Sequence, residues 1–109
     1  MRLGVYQEGH ASLRLIQTAA VPENMRADVL EVVGLETETE AQGKGHAKAL
    51  LSRLGAIADD HKKVLLLIPT PFADKPMSAA RLIAWYVRMG YQQIQEKPCL
   101  MARPPKRHG

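Results

Sequence analysis

The chain has 109 residues, of which 46% are hydrophobic and 24% are charged, and its formal net charge is +4. These values are typical of a folded domain and exclude a disordered chain, and the longest apolar run, residues 64–68, is far short of the roughly 20 residues that a membrane span needs. No apolar stretch near Met1 resembles a signal peptide, and the single cysteine cannot form an internal disulfide. We therefore expect one cytoplasmic domain over residues 1–102 and a basic tail over 103–109.

The first third of the chain has the residue pattern of three strands. Residues 3–7 and 11–19 are compatible with strands and flank a turn that contains Gly9, which predicts a hairpin. A second turn over residues 21–26 contains proline and asparagine. Residues 28–37 then place apolar side chains on both faces of an alternating pattern, which is typical of a central strand.

The apolar period becomes helical after Gly45. Apolar side chains recur on one face until residues 59–61, where we expect the helix to end. The continuous apolar run 64–68 predicts a strand that is buried on both faces and that Pro69 ends. Residues 69–76 contain three prolines and predict a stiff loop.

A second helix and two closing strands complete the pattern. Ser78 is placed to cap a helix over residues 79–89, and Gly90 is placed to end it in the left-handed conformation. Residues 91–97 and 99–102 predict two short strands. The resulting order, β-β-β-α-β-α-β-β, predicts an α+β or mixed α/β fold in one domain.

The turn between the third strand and the first helix is rich in glycine. Glycine lets the backbone approach a ligand closely, and the first N–H groups of a helix point outward unpaired, so such a turn can bind phosphate. No Ser or Thr follows a lysine as in a P-loop, and Lys48 stands where the dinucleotide fingerprint has its third glycine. The turn reads Gln42-Gly43-Lys44-Gly45-His46-Ala47.

This turn resembles the motif of the GNAT acetyltransferases, which is Gln or Arg, two residues, Gly, one residue, and then Gly or Ala. The end of the second predicted helix resembles a further feature of that family, with Tyr86 followed four residues later by Gly90 and an aromatic residue. The resemblance covers residues 29–102 and is to a short, N-terminally reduced member. It implies a GNAT-like central mixed sheet flanked by helices. It also implies an N-acetyltransferase that uses acetyl-CoA as acyl donor, needs no metal, and works by direct attack of an amine on the thioester.

The resemblance also implies which residues bind the donor. Backbone amides would hold the pyrophosphate, with Lys44 adding a cation and Gln42 opening the motif, while the strand edge around Glu36 and Thr37 would pair with the pantetheine arm. The alternative is a plain strand-to-helix turn in which the glycines only satisfy backbone geometry. The amides belong to Gly43, Lys44, Gly45, His46 and Ala47.

Three side chains are candidates for the chemistry. Tyr86 occupies the place where many family members have a tyrosine that protonates the departing CoA sulfur, because the pKa values of a phenol and a thiol lie within a unit or two of each other. The alternative is that Tyr86 is only a core residue with no part in the chemistry. Glu31, flanked by apolar residues, is a candidate to deprotonate the amine, and Glu36 is a second candidate; for Glu31 the alternative is an exposed charge at a strand end.

Two departures from the family pattern bear on the acceptor. The usual asparagine before the second helix is replaced by Ser78 or Ala79, and few residues precede the glycine turn, so the helices that roof the acceptor site in typical members are not expected. The acceptor groove would then be open and suit a protein amine, or a second copy in a homodimer would complete it, or the fold would serve another purpose. The basic charge leaves a small nucleic-acid- or protein-binding module as the alternative class, although few aromatic side chains are present for base stacking, which makes nucleic acid the weaker partner.

Overall fold

The structure is a computed structural model, and it describes residues 2–9, 11–19, 21–37, 45–69 and 78–105. The elements follow in the predicted order, with a short 3-10 helix, Glu23–Met25, in the turn before the third strand. The strands are Gly4–Glu8 (β1), Ala11–Gln17 (β2), Val29–Thr37 (β3), Val64–Leu67 (β4), Gln92–Glu96 (β5) and Cys99–Arg103 (β6), and the helices are His46–Asp60 (α1) and Ala79–Arg88 (α2).

The strands form one mixed sheet in the order β1-β2-β3-β4-β6-β5. β3 and β4 are parallel neighbours, and every other neighbouring pair in this order is antiparallel. A parallel pair needs a crossover connection, which α1 supplies between β3 and β4. The predicted fold class is therefore confirmed.

Both helices pack on the same face of the sheet. Leu65 and Leu67 of β4 belong to one buried cluster with the apolar face of α1 and with Leu82 and Tyr86 of α2. Leu66 points to the opposite face, since successive strand residues alternate, and it is not part of this cluster. The side chains of α1 that pack into the cluster are those that the helical period predicts, namely Leu50, Leu51, Leu54 and Ala58.

Both helices end as the sequence predicts, but they begin differently. The Ser78 hydroxyl accepts a hydrogen bond of 3.2 Å from the Arg81 backbone N–H, which caps α2. Gly90 follows α2 with a φ of +98°, the left-handed conformation that glycine adopts without a steric penalty. By contrast, α1 starts after Gly45, which provides no side-chain cap.

A β-bulge interrupts the central strand. Arg14 of β2 lies opposite Val33 of β3, whereas Ser12 lies opposite Glu36. Between these two pairs, β3 advances by three residues and β2 by only two, so β3 contains one extra residue. The extra residue coincides with Gly34, whose φ is +64°. The strict alternation predicted for residues 28–37 is therefore wrong beyond Val33, because the bulge shifts which side chains face the helices.

The predicted tail boundary also needs correction. Arg103 is the last residue of β6 and only 6% exposed, so it belongs to the sheet and not to a basic tail over residues 103–109. An arginine is rarely this buried unless it is paired, and Arg103 is paired with Asp59 of α1. Residues 106–109 lie outside the described part of the chain. None of the helices in the described ranges is both long and apolar enough to cross a membrane.

Candidate functional site

The parallel strands β3 and β4 pair over only part of the length of β3. Their register runs from Val29 opposite Val64 to Val32 opposite Leu67, where β4 ends. β3 continues for five more residues, and within the described part of the chain no strand pairs with the β4 side of this segment. We call it the open edge of β3 (residues 33–37). Its backbone groups are available to an extended ligand, as at any strand edge.

Glu36 and Thr37 are the last two residues of the open edge. On their other side they pair with Ser12 and Ala11 of β2, which fixes the direction of the strand. The bulge at Gly34 lies immediately before them, and a bulge bends its strand and increases the local twist. Because Gly34 bends β3 just after its last pair with β4, the bulge accounts for the separation of the two strands.

The N-terminus of α1 follows the open edge after one loop. The first hydrogen bond within α1 runs from the Ala49 N–H to the Gly45 carbonyl at 2.9 Å, so the N–H groups of His46 and Ala47 are not part of the helical ladder. Gly45 has a φ of +81° and provides no side-chain cap, and the first turn contains no acidic residue. This end of the helix therefore presents a partial positive charge that no carboxylate in its first turn offsets.

Contacts with the β1–β2 hairpin hold α1 in place. A Cβ atom at Gly9 would lie 3.0 Å from Nδ1 of His46, so the imidazole packs directly on the glycine of the hairpin turn. Arg53 donates a hydrogen bond of 2.8 Å to Glu8 Oε2 and another of 3.2 Å to the Gln7 carbonyl oxygen. The start of the helix is thus positioned by the sheet and not only by the preceding loop.

Tyr86 lies on the face of α2 that packs into the core. It is 3% exposed and belongs to the buried cluster that contains Val32 and Leu67, the last paired residues of the two strands. Edge-to-face contacts with Trp85 and Tyr91, with ring centroids 5.0 and 5.6 Å away, fix the orientation of its ring.

Burial changes the acid–base chemistry that was predicted for this tyrosine. Desolvation raises the pKa of Tyr86 to about 12, since the charged phenolate loses its contact with water. A thiol has a pKa of about 8.5, so the expected match within a unit or two is wrong. Transfer of a full proton from Tyr86 to a thiolate in water would therefore be unfavourable. The Tyr86 hydroxyl is therefore suited to donate a hydrogen bond without giving up its proton.

The two candidate bases lie on the other face of the sheet. Glu31 stands opposite Ile16 of β2 and Leu66 of β4, and its Oε1 accepts a hydrogen bond of 2.9 Å from the Thr18 hydroxyl. Glu31 is therefore not an exposed charge at a strand end, which was the alternative to a role as the base. Glu36 is exposed and lies beyond the bulge. Tyr86 and Glu31 therefore lie on opposite faces of the sheet.

Part of the predicted site lies outside the described residues. This applies to Gln42, Gly43 and Lys44 of the glycine turn and to the loop 70–77 that joins β4 to α2. Among the residues that are described, no group of three His, Cys, Asp or Glu side chains could hold a metal ion. The Thr18–Glu31 contact and the bulge were not predicted, although an isolated glycine within a strand pattern, as at Gly34, is a recognised signal for a bulge.

Comparison with known proteins identifies the architecture. No protein-family model matches the chain. No curated protein matches it in sequence at a significant level. Among solved structures, the anti-CRISPR protein AcrVA5 superposes with a TM-score of 0.63 and 18% identity over 92% of this chain and 98% of its own. The ribosomal-protein-S18-alanine N-acetyltransferase from Escherichia coli also gives 0.63 at 18% identity over 92% of this chain.

The chain spans 64% of the length of the S18-alanine enzyme and 22% of N-acetylglutamate synthase from Neisseria gonorrhoeae, a structure solved with coenzyme A and L-arginine. The synthase superposes with a TM-score of 0.61 at 18% identity over 90% of this chain. An acetyltransferase of the GNAT family from Staphylococcus aureus gives 0.59 at 10% identity, covering 89% of this chain and 60% of its own. The fold is therefore that of the GNAT acetyltransferases, as the glycine turn and the Tyr86–Gly90 spacing predict.

Proposed function

We propose that this chain is an acyltransferase that moves the acetyl group of acetyl-CoA to an amine. One arrangement carries the proposal: on a GNAT fold, the N-terminus of α1, whose N-cap Gly45 provides no side chain and whose first turn contains no acidic residue, lies one loop after the open edge of β3. A helix N-terminus binds a pyrophosphate and a strand edge binds an extended amide chain, and acetyl-CoA contains both groups.

The donor would lie along these two features. The backbone amides of Gly45, His46 and Ala47, together with those of Gly43 and Lys44, bind the pyrophosphate. The edge formed by Glu36 and Thr37 pairs with the amides of the pantetheine arm. A Cβ atom at Gly45 would meet no heavy atom within 4 Å, which supports close approach of a ligand to this backbone. Gln42 opens the same turn.

The two faces of the sheet would divide the chemistry. The amine nitrogen attacks the thioester carbonyl carbon, the C–S bond breaks, CoA leaves as the thiolate, and the nitrogen loses a proton. Glu31 accepts that proton on the face without the helices, with Glu36 as the competing candidate. Tyr86 acts on the helical face, where its hydroxyl donates a hydrogen bond to the developing thiolate. No residue of the chain is acetylated in this sequence.

For the acceptor we propose a protein amine. The neighbours do not select a class, since one is named for alanine of a ribosomal protein and another for glutamate. Support comes from the face that carries Glu31: over the described part of the chain no helix packs on it, and Arg14 and Glu36 are exposed there. A large acceptor can reach such a face. A second copy in a homodimer would cover it, and light scattering would reveal that dimer.

Binding of the donor is the decisive test of the function. Acetyl-CoA at about 100 times its dissociation constant should stabilise the fold by about 2.7 kcal/mol in thermal unfolding. Gly45→Ala should weaken this shift, because alanine is strained at a φ of +81° and the turn must change shape. Gly4→Ala is the matched control, since Gly4 also has a positive φ, +125°, but lies in β1. An unchanged melting temperature at millimolar acetyl-CoA would refute the proposal.

The base can be assigned by a pair of variants. Glu31→Gln should lower kcat by at least about a hundredfold while acetyl-CoA still shifts the melting temperature, because a positioned base contributes on that scale. Glu36→Gln should leave kcat within a factor of a few. The reverse pattern would assign the role to Glu36, and equal small effects would mean that neither carboxylate is the base.

A further inference from the structure

A groove of about 410 Å³ lies between α1 and the C-terminal end of α2, and the donor site does not account for it. Its volume is within the range of about 300–1,000 Å³ that is usual for small-molecule sites. α1 lines one wall with Lys48, Leu51, Ser52, Ala56 and Asp59, the end of α2 lines the other with residues 87–90, and Arg103 of β6 completes the lining.

The groove carries an excess of positive charge. Lys48, Arg88 and Arg103 are the cations of its lining, and Asp59 is its carboxylate, which leaves an excess of two positive charges. Asp59 is already engaged, since both its oxygens accept hydrogen bonds from the Arg103 guanidinium at 2.9 and 3.1 Å. Lys48 and Arg88 are exposed, and both line the groove.

Arg103 gives the groove a rigid polar element. Its side chain is 7% exposed, and the pair with Asp59 holds its guanidinium against α1 at Gly55. A guanidinium has five N–H donors, of which Asp59 takes two. No other described residue accepts a hydrogen bond from Arg103. A buried arginine with donors to spare beside an open groove is suited to bind an anion.

Part of the lining is apolar. Val87 is 53% exposed, and Met89, Leu51 and Ala56 line the same groove. A ligand that combines an anionic group with an apolar body would therefore satisfy both parts of the lining. A phosphate monoester carries a charge of about −1.5 to −2 at pH 7, which matches the excess of the groove.

The position of the groove separates most of it from the open edge of β3. α2 contributes residues 87–90, the end of the helix that lies away from Ser78 and the loop leading from β4. Along α1 the lining extends from Lys48 to Asp59, about 16 Å at 1.5 Å per residue. The part of the groove that Arg103 lines is thus near the C-terminus of α1, far from the N-terminus of that helix.

We propose that this groove is a second ligand site, which binds a phosphate monoester with an apolar body between α1 and the end of α2. The phosphate lies at the Arg103 end of the groove, between Arg88 and Arg103, and the apolar body packs on Val87 and Met89. The proposal depends on the geometry of the two helices and does not require that the chain transfers acetyl groups.

Calorimetry with 1-naphthyl phosphate tests the site on the full chain. Arg88→Gln should weaken binding about tenfold, as expected for one lost charge-assisted contact. Ala56→Glu should abolish binding, because it places a carboxylate in the groove from an exposed helical position where glutamate is well tolerated. Arg14→Gln is the matched control, since Arg14 is an exposed arginine on the opposite face of the sheet, and it should leave the affinity within twofold.

Three further measurements distinguish this site from the donor site and from nonspecific apolar binding. Inorganic phosphate should compete for the groove with lower affinity, and 1-naphthol should not compete, which would assign recognition to the anion. Saturating acetyl-CoA should leave the affinity for 1-naphthyl phosphate within twofold. Displacement by acetyl-CoA would show that the groove belongs to the donor site and would overturn the proposal, as would binding that Ala56→Glu leaves unchanged.

Discussion

Gly55 is in the middle of α1, where replacement of glycine by alanine ordinarily stabilises a helix by about 1 kcal/mol. We expect Gly55→Ala to have the opposite effect. An ideal Cβ atom at this position would lie 2.9 Å from Cζ and from Nη2 of Arg103 and 3.0 Å from Nε. Carbon atoms pack at about 3.5–4.0 Å, so the guanidinium would have to retreat by more than half an ångström.

That retreat lengthens the hydrogen bonds between Arg103 and Asp59, which are 2.9 and 3.1 Å long. The two side chains are only 7% and 9% exposed, so water from the groove offsets the weakened pair only in part. Breaking a buried ion pair costs about 3–5 kcal/mol. After subtraction of the gain in helix propensity, Gly55→Ala should lower the free energy of unfolding by at most about 2–4 kcal/mol.

Urea unfolding with linear extrapolation measures this difference. Ala56→Gly at the exposed neighbouring position calibrates helix propensity alone and should cost about 1 kcal/mol. In a background with Arg103→Met and Asp59→Leu, where the pair is replaced by apolar side chains, Gly55→Ala should become stabilising. A stabilising effect of Gly55→Ala in the natural chain would refute the packing of Arg103 on this glycine.

Tyr86→Phe should lower kcat while the acetyl-CoA-induced shift in melting temperature stays the same, and equal losses in both would mean that the tyrosine is only structural. Burial raises the pKa of Tyr86 from 10.0 to about 12, so the folded state keeps the proton longer than the unfolded state. Tyr86 should therefore contribute up to about 2.7 kcal/mol to a fall in the free energy of unfolding between pH 10 and pH 12, and Tyr91, whose pKa burial also raises, adds to that fall. Tyr86→Phe should reduce the fall in pH-dependent urea titrations. Tyr91→Phe should raise the free energy of unfolding by about 1 kcal/mol, because in the described part of the chain the buried Tyr91 hydroxyl has no hydrogen-bond partner, and a loss of stability would imply a partner for it. Ser78→Ala should cost about 1 kcal/mol through loss of the α2 cap, and a neutral result in the same assay would contradict the observed hydrogen bond.

Most of the fold is encoded in local patterns. The apolar period of α1, the Ser78 cap, the Gly90 stop and the short apolar run of β4 each act over a few residues, and each predicted element is present in the predicted order. The glycine turn and the Tyr86–Gly90 spacing also identify the GNAT fold from residues alone. These features are predictable because propensity, capping and periodicity depend on neighbours in sequence.

The sequence did not determine what depends on contacts between distant residues. Burial of the Tyr86 side chain in the core raises its pKa and changes its proposed role from proton donor to hydrogen-bond donor. The Arg103–Asp59 pair joins residues 44 positions apart, which moves Arg103 from a predicted tail into the core. Tyr86 and Glu31 lie on opposite faces of the sheet because α2 packs on the face that carries Leu30 and Val32, and Glu31 points to the other face. Desolvation and pairing of this kind exist only in the assembled tertiary structure.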